Sequence, residues 1–500
     1  MSTPDVIEIG SRRELFVDDY LIESMGDDLC LRLHNPTPQE VVLYTDKPWE
    51  GPMCTYITVF QDDDIVRMYY LGWDLDLDSA SDSDGGKRAE PHPMGVCYAE
   101  SKDGLNWHRP DLGIIEFEGD SNNNIIWQGA GEKQHGVHGF APFKDPRSDI
   151  DPAQRYKAVG ADRRATQGHL YAMASPDGVH WQLLQEEPIL RHGEDGSFDS
   201  QNLAFWDSER GEYRIYVRDF HTREEGGNYR DIKTATSPDF VNWTDTEWLS
   251  YPDVPIEQLY TNQVMPYHRA PHIFVGFPSR YVEREWSPAI EALPEPEHRR
   301  KRADANPRYG TAITDGLFMS SREGRTFKRW GEAFIRPGPQ LENQWAYGDN
   351  YQAWGMIETP SALQGAPPEW SFFAREGIWR GDGMNIRRYT LRKDGFVSIN
   401  APRSGGEFVT RPLIFDGDTL EINFSTSAAG NIRVEVQDEQ GRPIPDFTLE
   451  ECVQQIGDEL DRVVQWETEN DLAEISGRPA RLRFVMTDAD LYSLRFAGNE

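Results

Sequence analysis

A ten-residue segment, Tyr98-Ala-Glu-Ser101-Lys-Asp103-Gly104-Leu-Asn-Trp107, recurs along the chain and decides the fold. The later copies are Ala172-Met-Ala-Ser175-Pro-Asp177-Gly178-Val-His-Trp181, Thr234-Ala-Thr-Ser237-Pro-Asp239-Phe-Val-Asn-Trp243 and the shorter Ser321-Arg-Glu323-Gly324-Arg-Thr-Phe327. Each copy predicts a strand, a tight turn and a second strand, because the acidic side chain bonds its own backbone and glycine allows a positive φ. We therefore expect Asp103, Asp177 and Asp239 to be structural.

A further strand pair precedes each turn, as in residues 56–60 with 67–71 and residues 201–206 with 213–218. Four antiparallel strands per unit, with the turn aromatics at positions 107, 181, 243 and 327, are typical of a β-propeller. A fifth unit begins near Asp349. The sequence thus predicts an all-β protein whose residues 1–400 form a five-bladed propeller. Residues 15–23 and 32–44 are expected to close the ring by pairing with the last blade.

The rhythm changes after residue 402. Residues 407–415, 419–425, 430–437, 479–486 and 491–496 alternate like strands but lack the repeated turn, which predicts a small C-terminal β-sandwich over residues 401–500. Segments 74–89 and 283–307 are polar and are predicted to be mobile loops at the rim. Only residues 450–461 have a pattern that favours a short helix.

The charge balance limits the partners. The 500 residues include 85 acidic and 51 basic side chains, for a net charge of −34, and nucleic-acid binding needs the opposite sign. Arginines outnumber lysines by 41 to ten. A GC-rich genome explains this bias, and so does a salt-rich cytoplasm in which an acidic surface keeps the protein hydrated. We favour the second, halophilic explanation.

Four widely spaced cysteines form no CxxC pair, so we expect reduced thiols and no zinc site. The first twenty residues lack the apolar stretch of a signal peptide, and no run of about 18 apolar residues exists. These features predict a cytoplasmic protein, monomeric or homo-oligomeric, with no membrane partner and no nucleic-acid partner.

A five-bladed propeller with Ser-x-Asp-Gly-x-x-Trp turns, followed by a β-sandwich, resembles the glycoside hydrolases related to families 32, 43 and 68. The resemblance implies a catalytic funnel at the propeller axis and a small fructoside-, arabinoside- or xyloside-like substrate. The chain lacks the fructosidase motifs Trp-x-Asn-Asp-Pro-Asn-Gly and Arg-Asp-Pro, and also the Ala-Asp-Pro start of the arabinanases. It is therefore expected to be a divergent member.

The family geometry places the substrate where the first strand of each blade begins. Three of these openings carry a carboxylate, namely Glu50, Asp199 and Glu257. Glycoside hydrolysis needs two carboxyl groups across the scissile bond, one protonated and one ionised. By the resemblance, Glu50 would be the base or nucleophile, Asp199 the stabiliser and Glu257 the acid. Enclosing such like charges would raise at least one pKa, as a general acid requires.

The same openings carry aromatic rings, amides and charged groups that suit sugar recognition. The predicted substrate-binding residues are Trp49, His138, Asn202, Arg218, Tyr260, Asn262, Arg280, Trp345 and Asp349. For the arginines and His138, a structural ion pair or hydrogen bond is an equally available role. No cofactor and no metal ligands are predicted, although the tunnel has room for a structural Ca²⁺.

Two other functions remain open. A glycoside phosphorylase would use phosphate in place of water, which needs one acid and a cationic cradle, so that Arg218, Arg280 and His138 would matter more than Glu50. A non-catalytic carbohydrate-binding propeller would carry its axial carboxylates incidentally. Substitution of the acids abolishes turnover in an enzyme but leaves binding largely intact in a binding protein.

Overall fold

The computed structural model describes residues 6–77, 90–163, 168–192, 197–222, 228–342, 344–379, 381, 383–468 and 470–498. Five antiparallel sheets follow the sequence repeats, which confirms the predicted all-β, five-bladed propeller. Residues 78–89, most of the predicted acidic loop, lie outside the described residues. No helix in the described ranges is long and apolar enough to cross a membrane.

The blades are numbered along the chain, and their strands are given from the innermost outward. They are, for blade one, Thr55–Asp62, Ile65–Gly72, Gly95–Ser101 and Ile125–Trp127, with Trp107–His108 also on Gly95–Ser101; for blade two, His138–Lys144, Tyr156–Ala161, Leu170–Ser175 and Gln182–Leu183; for blade three, Leu203–Asp207, Glu212–Thr222, Asn228–Ser237 and Glu247–Trp248; for blade four, Met265–Tyr267, Ala270–Gly276, Met319–Ser321 and Lys328–Arg329; and for blade five, Ile357–Thr359, Glu369–Glu376, Asn385–Leu391 and Thr37–Tyr44. A small sheet of Gln258–Leu259, Ser279–Val282 and Ile313–Gly316 extends blade four.

The repeated turns have the predicted structure. Oδ1 of Asp103 accepts hydrogen bonds from the backbone amides of Leu105 and Asn106 at 2.9 and 2.8 Å, and the same two bonds recur at Asp177 and Asp239. Although partial burial raises the pKa of Asp177 and Asp239, these amides outweigh it and lower both to about 2. The acidic residues of the turns are therefore structural.

The prediction for ring closure is confirmed for one segment and wrong for the other. Thr37–Tyr44 pairs with Asn385–Leu391 as the outermost strand of blade five. Glu14–Leu15 instead pairs with Ala480–Ala497, and Ile22–Met25 pairs with Gly406–Thr410. Residues 7–33 therefore belong to the second sheet rather than to the propeller, because the C-terminal strands offer them open edges.

The second sheet contains ten strands from both ends of the chain. They are Ile7–Gly10, Glu14–Leu15, Ile22–Met25, Cys30–Leu33, Val397–Ala401, Gly406–Thr410, Leu413–Phe415, Thr419–Asp438, Asp458–Val463 and Ala480–Ala497. The helix predicted for residues 450–461 is absent from this described region, because Asp458–Val463 pairs with Thr419–Asp438 instead. Residues 152–154 and 472–474 form short 3₁₀ helices.

The second sheet packs directly on the propeller. Leu15 and Val17 lie in the propeller core, whereas Phe16, which points the other way, lies in the core of the second sheet. Across the interface, the Tyr267 hydroxyl donates a 2.5 Å hydrogen bond to the fully buried carboxylate of Asp394. Hydrophobic packing and buried polar contacts thus fix the two parts together.

The segment predicted as a mobile loop over residues 283–307 is helical in part. Pro288–Glu291, Pro296–Ala305 and Pro307–Thr311 are α-helices, each beginning with proline, whose fixed φ suits the first helical turn. The side chain of Ser287 accepts a hydrogen bond at the start of the first helix, and that of Asn306 at the start of the third. Arg299 and Arg302 are buried, so this segment packs against the propeller.

Polar side chains close the propeller tunnel at mid-height. Nε2 of Gln201 donates to the Thr58 hydroxyl at 3.0 Å, and Nε2 of Gln263 donates to Oε1 of Gln201 at 2.6 Å and to the carbonyl of Gln352 at 2.9 Å. These residues, from blades one, three, four and five, are called the axial plug. The starts of the first strands lie on one side of it. On the other side is a largely apolar rear cavity whose lining includes Phe205.

Candidate active site

Asp199 lies at the convergence of several blades, immediately before the first strand of blade three. Its Oδ1 is 3.4 Å from Nε2 of His138 in blade two, and its Oδ2 is 3.7 Å from Nη2 of Arg218 in blade three. The same Nη2 donates to the Asp199 carbonyl. With 30% of its side chain exposed, Asp199 is open to solvent, whereas His138 and Arg218 are buried.

Several buried polar atoms around Asp199 have no hydrogen-bond partner among the described residues. They are Nδ1 of His138, Nε and Nη1 of Arg218, Nε1 of Trp73 and of Trp379, and the hydroxyl of Tyr351. Most buried polar groups in folded proteins are paired, since leaving one unpaired costs about 1–3 kcal/mol. A concentration of such atoms beside an accessible carboxylate indicates a site for a polar ligand.

Phenol side chains form the wall around Asp199. Burial raises the pKa of Tyr56, Tyr260 and Tyr309, and the charge of Asp199 raises each further. Tyr56 comes from blade one, and its ring centroid lies 5.1 Å from that of His138. The ring of Tyr260 lies 5.3 Å from that of Tyr351. Flat aromatic faces of this kind suit the C–H surfaces of sugars.

Tyr347 differs from the other phenols. Its hydroxyl donates to the Tyr260 hydroxyl at 3.2 Å and accepts from Nη1 of Arg308 at 3.5 Å. Burial raises the pKa of Tyr347, but Arg308, the bond to Tyr260 and the charge of Arg230 outweigh it and lower that pKa below the ordinary value. Tyr347 is therefore the phenol of this wall best able to act as a base or nucleophile. The side chains described so far are called the Asp199 cluster: Tyr56, His138, Asp199, Arg218, Tyr260 and Tyr347.

Backbone strain accumulates near the same place. Tyr56, Trp345 and Trp379 have φ values of 54°, 65° and 58°. Bulky residues rarely adopt the left-handed region, and such strain persists where the surrounding structure enforces it, often at functional sites.

Three of the predicted binding residues support the cluster from behind. Oδ1 of Asn202 accepts from the Arg218 amide at 3.0 Å, and Oδ1 of Asn262 accepts from the Val264 amide at 3.2 Å. Asp349 is fully buried and accepts from the backbone amides of Ala346, Gly377 and Ile378 at 3.0, 3.0 and 3.3 Å. All three side chains are held by backbone, so their role is to position loops rather than to contact a sugar.

Glu50 does not contact the Asp199 cluster, contrary to the prediction that it faces the funnel. It is fully buried and accepts from the Tyr70 hydroxyl at 2.5 Å and from Nη1 of Arg109 at 2.8 Å. Burial raises the pKa of Glu50, although Arg109 opposes this. Trp49, predicted to stack on sugar, donates to Oδ1 of Asn124 at 2.6 Å and packs in the blade-one core.

Glu257 and Arg280 lie on the face of the blade-four extension opposite to the Asp199 cluster. Side chains alternate along a strand, and because Tyr281 joins the tyrosine cluster, Arg280 points away from it. Arg280 binds Glu257 at 2.9 Å and Asp315 at 2.6 Å. Together with Trp345, they line a separate cavity of about 590 Å³, called the outer pocket. The three predicted carboxylates therefore do not meet.

Sequence reasoning missed several members of the site. Tyr56 precedes the axial residue Thr58 by two positions, as Asp199 precedes Gln201, and this shared register was the available signal. Arg230 and Arg308 carried no signal of their own, since Arg308 follows a segment predicted to be a loop. The described residues contain no group of three or more His, Cys, Asp or Glu side chains that could hold a metal ion.

No protein-family model and no curated protein matches this sequence. Several solved structures are similar to it. A family 32 β-fructofuranosidase from Bombyx mori is 11% identical with a TM-score of 0.39, the match covering 94% of this chain and 95% of that one. A thermostable family 43 glycoside hydrolase is 12% identical with a TM-score of 0.43, covering 74% and 97%. A member of family 130, which comprises mannoside phosphorylases and also glycoside hydrolases that target β-1,2 mannosidic linkages in Candida mannan, is 13% identical with a TM-score of 0.41, covering 71% and 93%.

Proposed function

We propose that this protein is an enzyme that cleaves glycosidic bonds and that Asp199 transfers the proton to or from the glycosidic oxygen. The observation that carries the proposal is the position of Asp199, an accessible carboxylate surrounded by buried donors without partners. Glycosidic cleavage needs a carboxyl group of this kind beside the leaving oxygen. The free donors of Arg218, Trp73 and Trp379 suit the hydroxyl groups of a sugar.

The second catalytic role falls to Tyr347 in this proposal. Glu50 and Glu257 are paired with arginines elsewhere, so neither supplies the second carboxylate of a two-carboxylate mechanism. A tyrosine nucleophile is a known alternative among glycosidases, and the lowered pKa of Tyr347 suits that task. Asp199 would then donate a proton to the leaving group while the phenol acts on the anomeric carbon.

A reducing-sugar assay in molar KCl tests the proposal, with a panel of fructosides, arabinosides, xylosides, galactosides and uronides. Wild type is compared with Asp199→Asn and with the control Asp253→Asn, which changes an exposed aspartate that pairs with Lys328. We expect turnover by wild type and the control but a loss of at least about 100-fold in Asp199→Asn. Full activity in Asp199→Asn would refute the assignment. Sugar binding without any turnover would favour the non-catalytic binding propeller.

Phosphorolysis is the second candidate function. It needs one acid and a cradle for phosphate, and Arg218 and His138 present free nitrogen atoms beside Asp199. Arg280, which was predicted to join them, is instead bound to Glu257 and Asp315. The same assay run with and without inorganic phosphate decides between the two reactions, because only a phosphorylase releases a sugar 1-phosphate.

A further inference from the structure

Three arginines are linked through shared aromatic rings beside the Asp199 cluster. The guanidinium carbons of Arg218 and Arg230 lie 5.7 and 5.1 Å from the ring centroid of Tyr260. Those of Arg230 and Arg308 lie 4.5 and 5.9 Å from the centroid of Tyr281. The three positive charges, called the arginine arc, therefore share one wall of phenols.

The arginine arc has few anionic partners of its own. Among the described residues, no carboxylate oxygen lies within 4 Å of the guanidinium nitrogens of Arg230 or Arg308, and Arg218 meets only Asp199, at 3.7 Å. Arg230 donates to Oε1 of Gln258 at 2.7 Å, and Arg308 donates weakly to Tyr347.

Arginines elsewhere in the described chain are paired more fully. Arg280 binds two carboxylates, and Arg322 binds Glu14 and Asp18 at 2.7 and 2.9 Å. With 85 acidic side chains available, the lack of carboxylate partners at Arg230 and Arg308 is a local exception to the composition.

Three like charges held close together repel one another, and an anionic ligand relieves this repulsion. Arg230 and Arg308 are only half-buried, so a ligand can reach them. A guanidinium presents a planar fork of N–H donors that matches the two oxygens of a carboxylate. The adjoining rings of Tyr281 and Tyr347, 5.7 Å apart, offer apolar faces to a sugar ring.

We infer that the substrate is the glycoside of an acidic sugar, a uronate, whose carboxylate binds Arg230 and Arg308 while its glycosidic oxygen faces Asp199. This inference rests on the proposed function and specifies its substrate class. It also accounts for a phenol in the second catalytic role, because a carboxylate nucleophile would be repelled by the charge of the substrate, whereas a neutral phenol would not.

The first test measures binding by calorimetry and uses the Asp199→Asn protein so that no ligand is consumed. The probes are glucuronate and galacturonate, their neutral counterparts glucose and galactose, and inorganic phosphate and sulfate. We expect each uronate to bind about 10-fold or more tightly than its neutral counterpart. Arg230→Gln and Arg308→Gln should each remove most of this preference, and Arg308→Lys, which keeps the charge but loses the fork, should retain part of it.

The matched control is Arg336→Gln, which changes an exposed arginine of the outer pocket and should leave uronate binding unchanged. Thermal unfolding of every variant establishes that it is folded. Equal binding of uronates and neutral sugars, no uronate binding, or uronate binding that survives both arginine substitutions overturns the inference. Binding of phosphate or sulfate without binding of uronates also overturns it.

Turnover of matched 4-nitrophenyl glucuronides and glucosides, both anomers of each, by wild type separates the two proposals. Preferential cleavage of the glucuronide supports both. Uronate binding without turnover of any uronide leaves the inference standing and counts against the proposed reaction. Turnover of neutral glycosides with no preference for the acidic ones supports the reaction and overturns the inference.

Discussion

Nε2 of His138 lies 3.4 Å from Oδ1 of Asp199, and the opposite ring nitrogen, Nδ1, is buried without a hydrogen-bond partner. Burial lowers the pKa of His138 and outweighs the Asp199 charge that raises it, so the ring is neutral near pH 7. We interpret His138 as a positioning residue that orients the Asp199 carboxylate.

Replacing His138 by Gln should therefore reduce kcat by about 10- to 100-fold, because the carboxylate loses its fixed neighbour. The pH profile distinguishes this role from general destabilisation. In wild type, protonation of His138 adds a charge below pH 6.5 and contributes an acidic limb to kcat/KM, and this contribution should vanish in the variant. The control His268→Gln changes a histidine at the rear cavity and should leave kcat unchanged.

Glu50→Gln should affect stability rather than chemistry. The substitution leaves Arg109 without its buried partner, and breaking such a pair costs about 3 kcal/mol in the free energy of unfolding. Glu257→Gln, at a partly exposed site, should cost about 1 kcal/mol. Urea unfolding gives the stabilities, and kcat at a temperature where both variants are folded should stay within about twofold. A large fall in kcat without a change in stability would return either residue to the catalytic site.

Asp349→Asn should disturb the loops that carry Tyr347 and Trp379. The carboxylate accepts three backbone amides there, and the Asn amide group presents donors to at least one of them. We expect a stability loss of about 2 kcal/mol and a rise in KM through displaced aromatic walls. Crystallography of the variant checks the loop positions. A normal KM with both loops in place would contradict this role.

Asp231→Asn should make stability less dependent on pH. Burial raises the pKa of Asp231 from its ordinary value of 3.8 to about 7, and its Oδ2 lies 3.2 Å from Nε2 of His221. The folded protein keeps this proton up to about pH 7, whereas the unfolded chain releases it near pH 4, so this group makes the free energy of unfolding fall as pH rises through that window. Asn imitates the neutral acid and should remove that decline. Chemical unfolding at pH 5, 6, 7 and 8 checks it, and parallel curves for wild type and variant would argue against it.

The sequence predicted those features that depend on neighbouring residues. The turns at Asp103, Asp177 and Asp239 are made by bonds that span two or three residues, so their pattern is legible in the chain. The blade count followed from their repetition. The position of Asp199 followed from its place before an innermost strand, a relation that the family resemblance supplied.

The features that were missed depend on partners distant in sequence. Glu50 is withdrawn from the funnel by Arg109, 59 residues away, and Glu257 by Arg329, 72 residues away. A single step along a strand separates Arg280, which faces the outer pocket, from Tyr281, which faces the phenol wall. Neither pairing nor facing is encoded in the spacing of carboxylates, so three acids at comparable blade openings do not make one site.

The pairing of both chain ends within one sheet bears on how the protein is made. Residues 7–33 leave the ribosome first, yet their partners between residues 397 and 497 leave last, and Thr37–Tyr44 must wait for Asn385–Leu391 before the ring closes. During synthesis these early strands have exposed edges for nearly the whole length of the chain. Their Glu, Asp and Arg side chains, such as those of residues 12–14 and 18–19, then discourage premature pairing with other nascent chains. The last residues to be translated complete the sheet and thereby hold the first ones in place.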